Sequence, residues 1–311
     1  MATEQHNVVT AAAALAPQIR AAGDEMETKR RLPASLVRAL SEAGLFQLYL
    51  PRTMGGRETD PLTSFRAIEE LSKIDGSVGW CALTSSTGSS LGGWLQADVG
   101  RALFGDPPDL RIAGTNRPEG QAHIVDGGYI VRGRWAFASG IDHANWFAST
   151  CTVVDDDGPR LTSDGIPEIR ALLVPVDAGT IHDTWSVMGM CGTGSHDFAV
   201  DDVFVPAEHT YSVLDPPQES GPLYQPRMFM VVNRIPFAGV SLGMARGAMD
   251  AFVELAAHTS SSMTAAPLRE RPLVQTTVAQ AENIISAARA HVLDAVGTAW
   301  EAACHGVPDP S

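Results

Sequence analysis

Three kinds of hydrophobic patterning follow one another along the chain. Up to about residue 105 the apolar positions recur at helical spacing, and Phe65, Ile68, Leu71 and Ile74 mark the buried stripe of one helix. Pro33 suits a first helical turn ahead of Leu36, Leu40 and Ala43, with a stop at Gly44. Residues 11–22 read as an alanine-rich helix in which Pro17 demands an end or a kink. Residues 45–50 form a short apolar link, and Pro51 with Gly55-Gly56 a loop. Beyond the break at Asp75-Gly76, residues 77–95 predict a helix of small, weakly polar residues.

From about residue 111 the period shortens. Residues 123–125, 129–131, 146–154, 169–174 and 198–205 predict strands, and Asp126-Gly127-Gly128 predicts a hairpin turn because Asp and Gly accept the backbone it needs. From Met228 the helical period returns, over 235–255 and 276–303. Gly239, Gly243 and Gly247 recur every four positions, so another helix can approach that face closely. The expectation is an α+β chain: a helical domain over 1–110, an antiparallel β-barrel or sandwich over 111–220, and helices over 221–311. Two helices alone leave apolar faces uncovered, so the last domain reads as an incomplete, truncated bundle.

Composition narrows the classes. With 311 residues, 44% of them hydrophobic, two or three domains can be filled. No run of about 18 uninterrupted apolar residues occurs, which speaks against a membrane span. The N-terminus lacks the order of a secretion signal, so a cytoplasmic protein is expected. Cys81, Cys151, Cys191 and Cys304 lie far apart without metal-ligand spacing, so buried thiols and no metal are expected. A net charge of −14 disfavours a nucleic-acid partner and leaves a small ligand of either sign open. The run Asp155-Asp156-Asp157-Gly158 reads as a solvated loop tip.

Three stretches resemble the acyl-CoA dehydrogenase family, whose fold has the same order of helices, barrel and helices. LSEAGLFQLYLPRTMGGRETD followed by FRAIEELSKIDGSVGW, within residues 40–80, is similar to its opening helix, Gly-Gly loop and Asp-Gly-Ser turn. DGGYIVRGRWAFASGIDHANWF, residues 126–147, resembles the barrel strand beside the flavin ring. WSVMGMCGTGSHDFAVDDVFVP, residues 185–206, resembles the late barrel strands. The resemblance implies a non-covalent flavin, FMN or FAD, and a homotetramer assembled through the C-terminal bundle.

Departures from the dehydrogenase pattern choose between the family's two chemistries. Matching VVNRIPFAGVSLGMAR to the helix that carries a catalytic glutamate in some dehydrogenases puts Asn233 before Arg234, and an amide is no carboxylate base. Dehydrogenases commonly present WITNG to the flavin, with the threonine near N5; Ala136-Phe137-Ala138-Ser139-Gly140 stands there instead. The W-x-F-x-SG form resembles two-component monooxygenases that hydroxylate phenols and related aromatic or polyketide-like compounds with O2 and reduced flavin from a separate reductase. Ser261-Ser262 falls near the usual Arg-Phe grip on the FAD pyrophosphate, with Arg269 or Arg271 as substitutes. An acyl-CoA dehydrogenase with FAD and a truncated, non-catalytic family member are the alternatives.

The same resemblance implies the site. Ser139 is the leading catalytic candidate, although a serine at a strand end also caps its own backbone. His143, four residues on, is either a base titrating near neutrality or a structural histidine. Thr115 and Asn116, in GTNRPEG, match the contact to the flavin pyrimidine, and Trp135, Phe137 and Ala138 are implied beside the ring. Trp80, Thr84, Ser85 and Asn233 are implied in the substrate pocket, where Thr84-Ser85-Ser86 fits tight helix packing equally well. Cys191-Gly192-Thr193-Gly194-Ser195 reads as a glycine-rich barrel turn.

Overall fold

The alanine-rich start divides exactly where its proline requires. In the computed structural model, which describes residues 2–261 and 264–305, helix α1 (Ala2–Ala14) gives way at Leu15 to α2 (Ala16–Ala21). Pro17 then lies in a first turn, where its missing N–H is no loss. Helix α3 (Gly23–Lys29) ends on Arg30 in the left-handed region (φ 54), and α4 (Ala34–Glu42) starts after Pro33. Helix α5 (Pro61–Ile74) is capped by the Asp60 carboxylate, which accepts from the Thr63 N–H. Asp75 likewise caps α6 (Gly76–Ser89) through the N–H groups of Ser77 and Val78. The single helix expected over 77–95 is therefore shorter: it tightens into a 3-10 turn at Ser90–Trp94, and a separate α7 (Ala97–Phe104) follows.

The strands of the middle region are β1 (Ile112–Val125), β2 (Gly128–Ala138), β3 (Trp146–Asp155), β4 (Gly158–Pro159), β5 (Ile169–Pro175), β6 (Thr180–His182), β7 (His196–Pro206) and β8 (Thr210–Tyr211). They form one sheet in the order β6-β7-β2-β1-β3-β5-β8, with β4 on β3. The expected hairpin is present: Val125 pairs with Gly128 across a two-residue turn in which Gly127 has φ 77. One expectation is corrected, because β1 and β3 are parallel in an otherwise antiparallel sheet. After β2 the chain turns at Gly140 and returns along the other edge of β1. Phe147 on β3 and Phe198 on β7 are three strands apart, which in a flat sheet is about 14 Å. Their ring centroids are 4.7 Å apart, so the sheet curls around one core that also holds Trp135, Val131, Cys151, Leu172 and Val174.

Helix α8 (Pro226–His258) carries the glycine stripe, and α9 (Pro272–His305) follows it. A Cβ added at Gly243 would lie 2.3 Å from the Glu69 carbonyl oxygen, and one at Gly247 2.3 Å from that of Lys73. Backbone therefore lies on backbone where α8 crosses α5. Among the described residues α8 is the one helix long and apolar enough to cross a membrane by length and composition, and 39% of its apolar window is buried inside the fold. Arg289 on α9 grips Glu69 of α5 with two hydrogen bonds of 2.7 and 2.9 Å. Cys81, Cys151 and Cys191 are buried as expected, whereas Cys304 is exposed. Ser262 and residues 306–311 lie outside the described residues.

Candidate functional site

The end of β2 departs from regular alternation. Trp135 pairs with Phe198 but Ala138 pairs with His196, so three steps on β2 oppose two on β7. This one-residue bulge inverts the faces that follow it. Phe137, with φ 62, is driven outward and is 57% exposed, while Ala138 is completely buried. A positive φ in a bulky residue is uncommon and costs conformational energy, a sign of a backbone shaped for a purpose. The exposed ring meets Trp185 edge-on at 6.3 Å, and the Arg117 guanidinium lies 5.8 Å from its centroid.

Beside this platform the sheet opens. Strands β1 and β2 pair only from Gly120↔Gly133 to Val125↔Gly128, and beyond Gly120 they part. Residues 116–119 bulge outward from the β1–β3 pairing, and all four are exposed. Thr115 accepts the Arg117 N–H at its hydroxyl, which keeps its own proton to donate, and the amide of Asn116 is solvent-facing. A ligand edge bearing carbonyl and imide groups fits unpaired strand backbone of this kind, so the notch suits a flavin pyrimidine flanked by Phe137 and Trp185.

Ser139 follows the bulge and is buried. Its hydroxyl accepts the Trp80 indole N–H at 2.9 Å and lies 2.7 Å from the Ser195 hydroxyl. Ser195 is 2.8 Å from the Thr193 hydroxyl, which donates to the Met190 carbonyl at 2.9 Å. Met190 (φ 59) and Gly194 (φ 50) bracket this turn, and the Gly140 N–H donates to the Thr193 carbonyl at 2.8 Å. The same Met190 carbonyl accepts the Trp185 indole N–H at 3.1 Å. One turn thus holds both the hydroxyl chain and the aromatic wall. Thr193 and Ser195, which the sequence placed in a plain glycine turn, and Trp185 are the additions the structure makes; nothing in local spacing joins residues 56 positions apart.

Next to Ser139, α6 and α8 leave a partly covered trough between half-buried residues. On α6 the half-buried residues Gly76, Trp80 and Thr84 recur every four positions, so they share the face turned to it. Across from them Phe237 meets Trp80 edge-on at 5.3 Å, and a Cβ at Gly76 would touch the sulfurs of Met190 and Met244. Asn233 is half-buried on the same helix, and its amide donates to the Phe229 carbonyl of its own previous turn at 2.9 Å.

Several sequence-based assignments fall elsewhere. Ser85 is buried away from the trough, donating to the Phe46 carbonyl at 2.8 Å and accepting the Ile112 N–H at 3.0 Å. Trp135 is wholly buried under Gly120, its N–H on the Thr150 carbonyl at 2.9 Å, so its indole is a core side chain and no flavin wall. The side chain of Ala138 points into the same core. His143 turns behind Gly140 and lines a different cleft of about 1100 Å3 with Arg31, Arg57 and Arg111. Burial, with the Arg111 charge behind it, pushes its pKa down to about 3, so it is neutral near pH 7 and has little basicity to offer. The chemistry of hydroxyls and indoles lies outside that cleft, beside Ser139 and Trp80. Arg269, one substitute for the pyrophosphate grip, donates instead to the Ala257 carbonyl.

The chain is similar to known proteins along most of its length. Residues 2–100 match the acyl-CoA dehydrogenase N-terminal domain and residues 235–310 its C-terminal domain. The flavin-dependent monooxygenase oxygenase subunit HsaA of Rhodococcus jostii is 31% identical over 287 residues, 88% of this chain and 72% of that protein. The oxygenase component of an FADH2-dependent resorcinol hydroxylase from a Rhizobium species is 32% identical over 302 residues, 92% of this chain and 72% of that one. The solved structure of XiaF from a Streptomyces species with FADH2 and glycerol superposes with a TM-score of 0.87 at 26% identity, covering 99% of this chain and 78% of that one. The chain belongs to the flavin-dependent monooxygenases of the acyl-CoA dehydrogenase-like superfamily.

Proposed function

We propose that the chain is the oxygenase component of a two-component system that hydroxylates a phenol-like aromatic substrate. It takes reduced FMN or FAD from a separate reductase and holds it without a covalent bond. One oxygen atom of O2 enters the substrate, the other leaves as water, and the reduced flavin supplies two electrons. The observation that carries this reading is the Trp80–Ser139 contact, which sets a hydroxyl between an apolar trough and the bulged aromatic platform.

The chain's own residues then divide the work. Thr115 and Asn116 offer polar groups to the flavin edge in the sheet notch, and Phe137 with Trp185 flanks the ring. Trp80, Phe237 and Met244 make the trough apolar, which suits an aromatic substrate and excludes the water that would divert the oxidation to hydrogen peroxide. Ser139 presents its oxygen at the junction of the two. The hydroxyl chain contains no carboxylate, and Asn233 cannot remove a proton beside a thioester, which disfavours acyl-CoA dehydrogenation. Exposed Met230, Leu255, Leu273 and Ile284 on the outer faces of α8 and α9 favour a homo-oligomer. A cytoplasmic setting, where reductase and nicotinamide are at hand, completes the reading.

The test is a reconstitution with flavin reductase, NADH, O2, either flavin and a panel of phenols. Hydroxylated product together with oxidised flavin is expected. Protein that purifies with tightly held FAD and is bleached by an acyl-CoA would overturn the monooxygenase reading, and absence of any flavin binding would mark a non-catalytic member.

A further inference from the structure

The hydroxyl chain behind Ser139 has a fixed polarity. The Trp80 indole N–H can only donate and the Met190 carbonyl can only accept. Between them stand three hydroxyls, with three protons for three links: Ser139 to Ser195 at 2.7 Å, Ser195 to Thr193 at 2.8 Å, and Thr193 to Met190 at 2.9 Å. Only one arrangement makes every link. Ser139 donates to Ser195, Ser195 to Thr193, and Thr193 to the carbonyl. If the Ser139 proton turned to the trough, Ser195 would have to donate backwards and Thr193 after it, and the carbonyl would keep its N–H donors but lose its hydroxyl partner. Ser139, Ser195 and Thr193 are 7%, 5% and 2% exposed, so these hydroxyls depend on one another more than on solvent. Neither end of the chain titrates, so no proton leaves along it.

We propose that Ser195 and Thr193 are positioning residues that hold the Ser139 proton away from the trough, so that Ser139 favours reduced over oxidised flavin. This rests on the function proposed above and takes the Ser139 oxygen, at the junction of platform and trough, to meet the flavin N5. One lone pair of Ser139 takes the Trp80 N–H, and the second remains. Reduced flavin carries an N5–H that a lone pair accepts. Oxidised flavin carries a bare N5, and two acceptors facing each other repel. An enzyme that receives its flavin reduced and must release it oxidised needs this preference.

Anaerobic titrations with dithionite-reduced and with oxidised FMN and FAD, followed by tryptophan fluorescence, give the ratio of the two affinities without turnover. Wild type is expected to bind the reduced form more tightly. Ser195→Ala frees the Ser139 proton to meet a bare N5, and the ratio narrows about two- to tenfold, the worth of one hydrogen bond. Ser195→Thr keeps the hydroxyl and restores the wild-type ratio, which simple loss of packing would not explain. Thr193→Val narrows it less, and decides the matter if Ser195→Ala does not fold. A ratio that changes in Ser139→Ala but stays at the wild-type value in Ser195→Ala and Thr193→Val overturns the lock while leaving Ser139 at the flavin. A ratio unmoved even in Ser139→Ala overturns both.

Discussion

Helix α6 carries polar residues on two faces, and they do different things. On one face Ser85, Ser86 and Ser89 bond to backbone of the link that precedes the Gly-Gly loop: Ser85 and Ser86 donate to the carbonyls of Phe46 and Leu45, and Ser89 accepts from the Tyr49 N–H. Ser85 also takes the first amide of β1, so one hydroxyl fastens three segments. On the other face Trp80 reaches out of the helix to Ser139, and the Thr84 hydroxyl turns back to the Cys81 carbonyl beside the trough. Buried hydroxyls with backbone partners hold the fold together. The half-buried indole, whose partner is another side chain, serves the site.

Ser85→Val breaks the comparison hardest. It leaves the Phe46 carbonyl and the Ile112 N–H buried without partners and should cost about 2–4 kcal/mol, read by urea unfolding. The affinity ratio for the two flavin states should stay at the wild-type value. Trp80→Phe inverts the pattern: the ring still packs on Phe237, so stability should fall by only about 1 kcal/mol. Without the indole N–H, Ser139 loses its anchor, and peroxide released per NADH should rise several-fold, measured by a peroxidase-coupled assay. Thr84→Val, close in shape, removes only a bond within its own helix and should change stability by about 0.5 kcal/mol or less. A selective loss of affinity for small phenols in that variant would place Thr84 against the substrate; unchanged affinity would leave it a bystander.

Much of the architecture was readable because periodicity and punctuation agree. Asp126-Gly127 closes its hairpin, Pro33 opens its helix, and the glycine stripe of α8 lies on another helix. The site was readable in outline through Ser139 and Trp80 but blurred in two ways. Strict alternation from Trp135 puts Phe137 and Ser139 on its own inward face, whereas the bulge expels Phe137 and buries Ala138, and no residue type announces that extra step. Trp135 therefore looked like a wall of the site when it fills the core. Helical phase separates Thr84 from Ser85 by about 100° and could have told them apart, since Thr84 stacks on Trp80 and Ser85 does not. Thr193 and Ser195 were beyond reach, because two left-handed residues aim them at a serine just past the end of β2.

The contact of α8 with α5 bears on how readily this enzyme's preferences can be changed. With the backbone at Gly243 and Gly247 resting on the carbonyls of Glu69 and Lys73, the spacing between those helices is set by main chain, like two rails bolted to one sleeper. Phe237 and Met244 project from α8 toward α6 and can be exchanged without moving α8. Selection for a new substrate can therefore repaint that side of α8 while its seat on α5 stays constant.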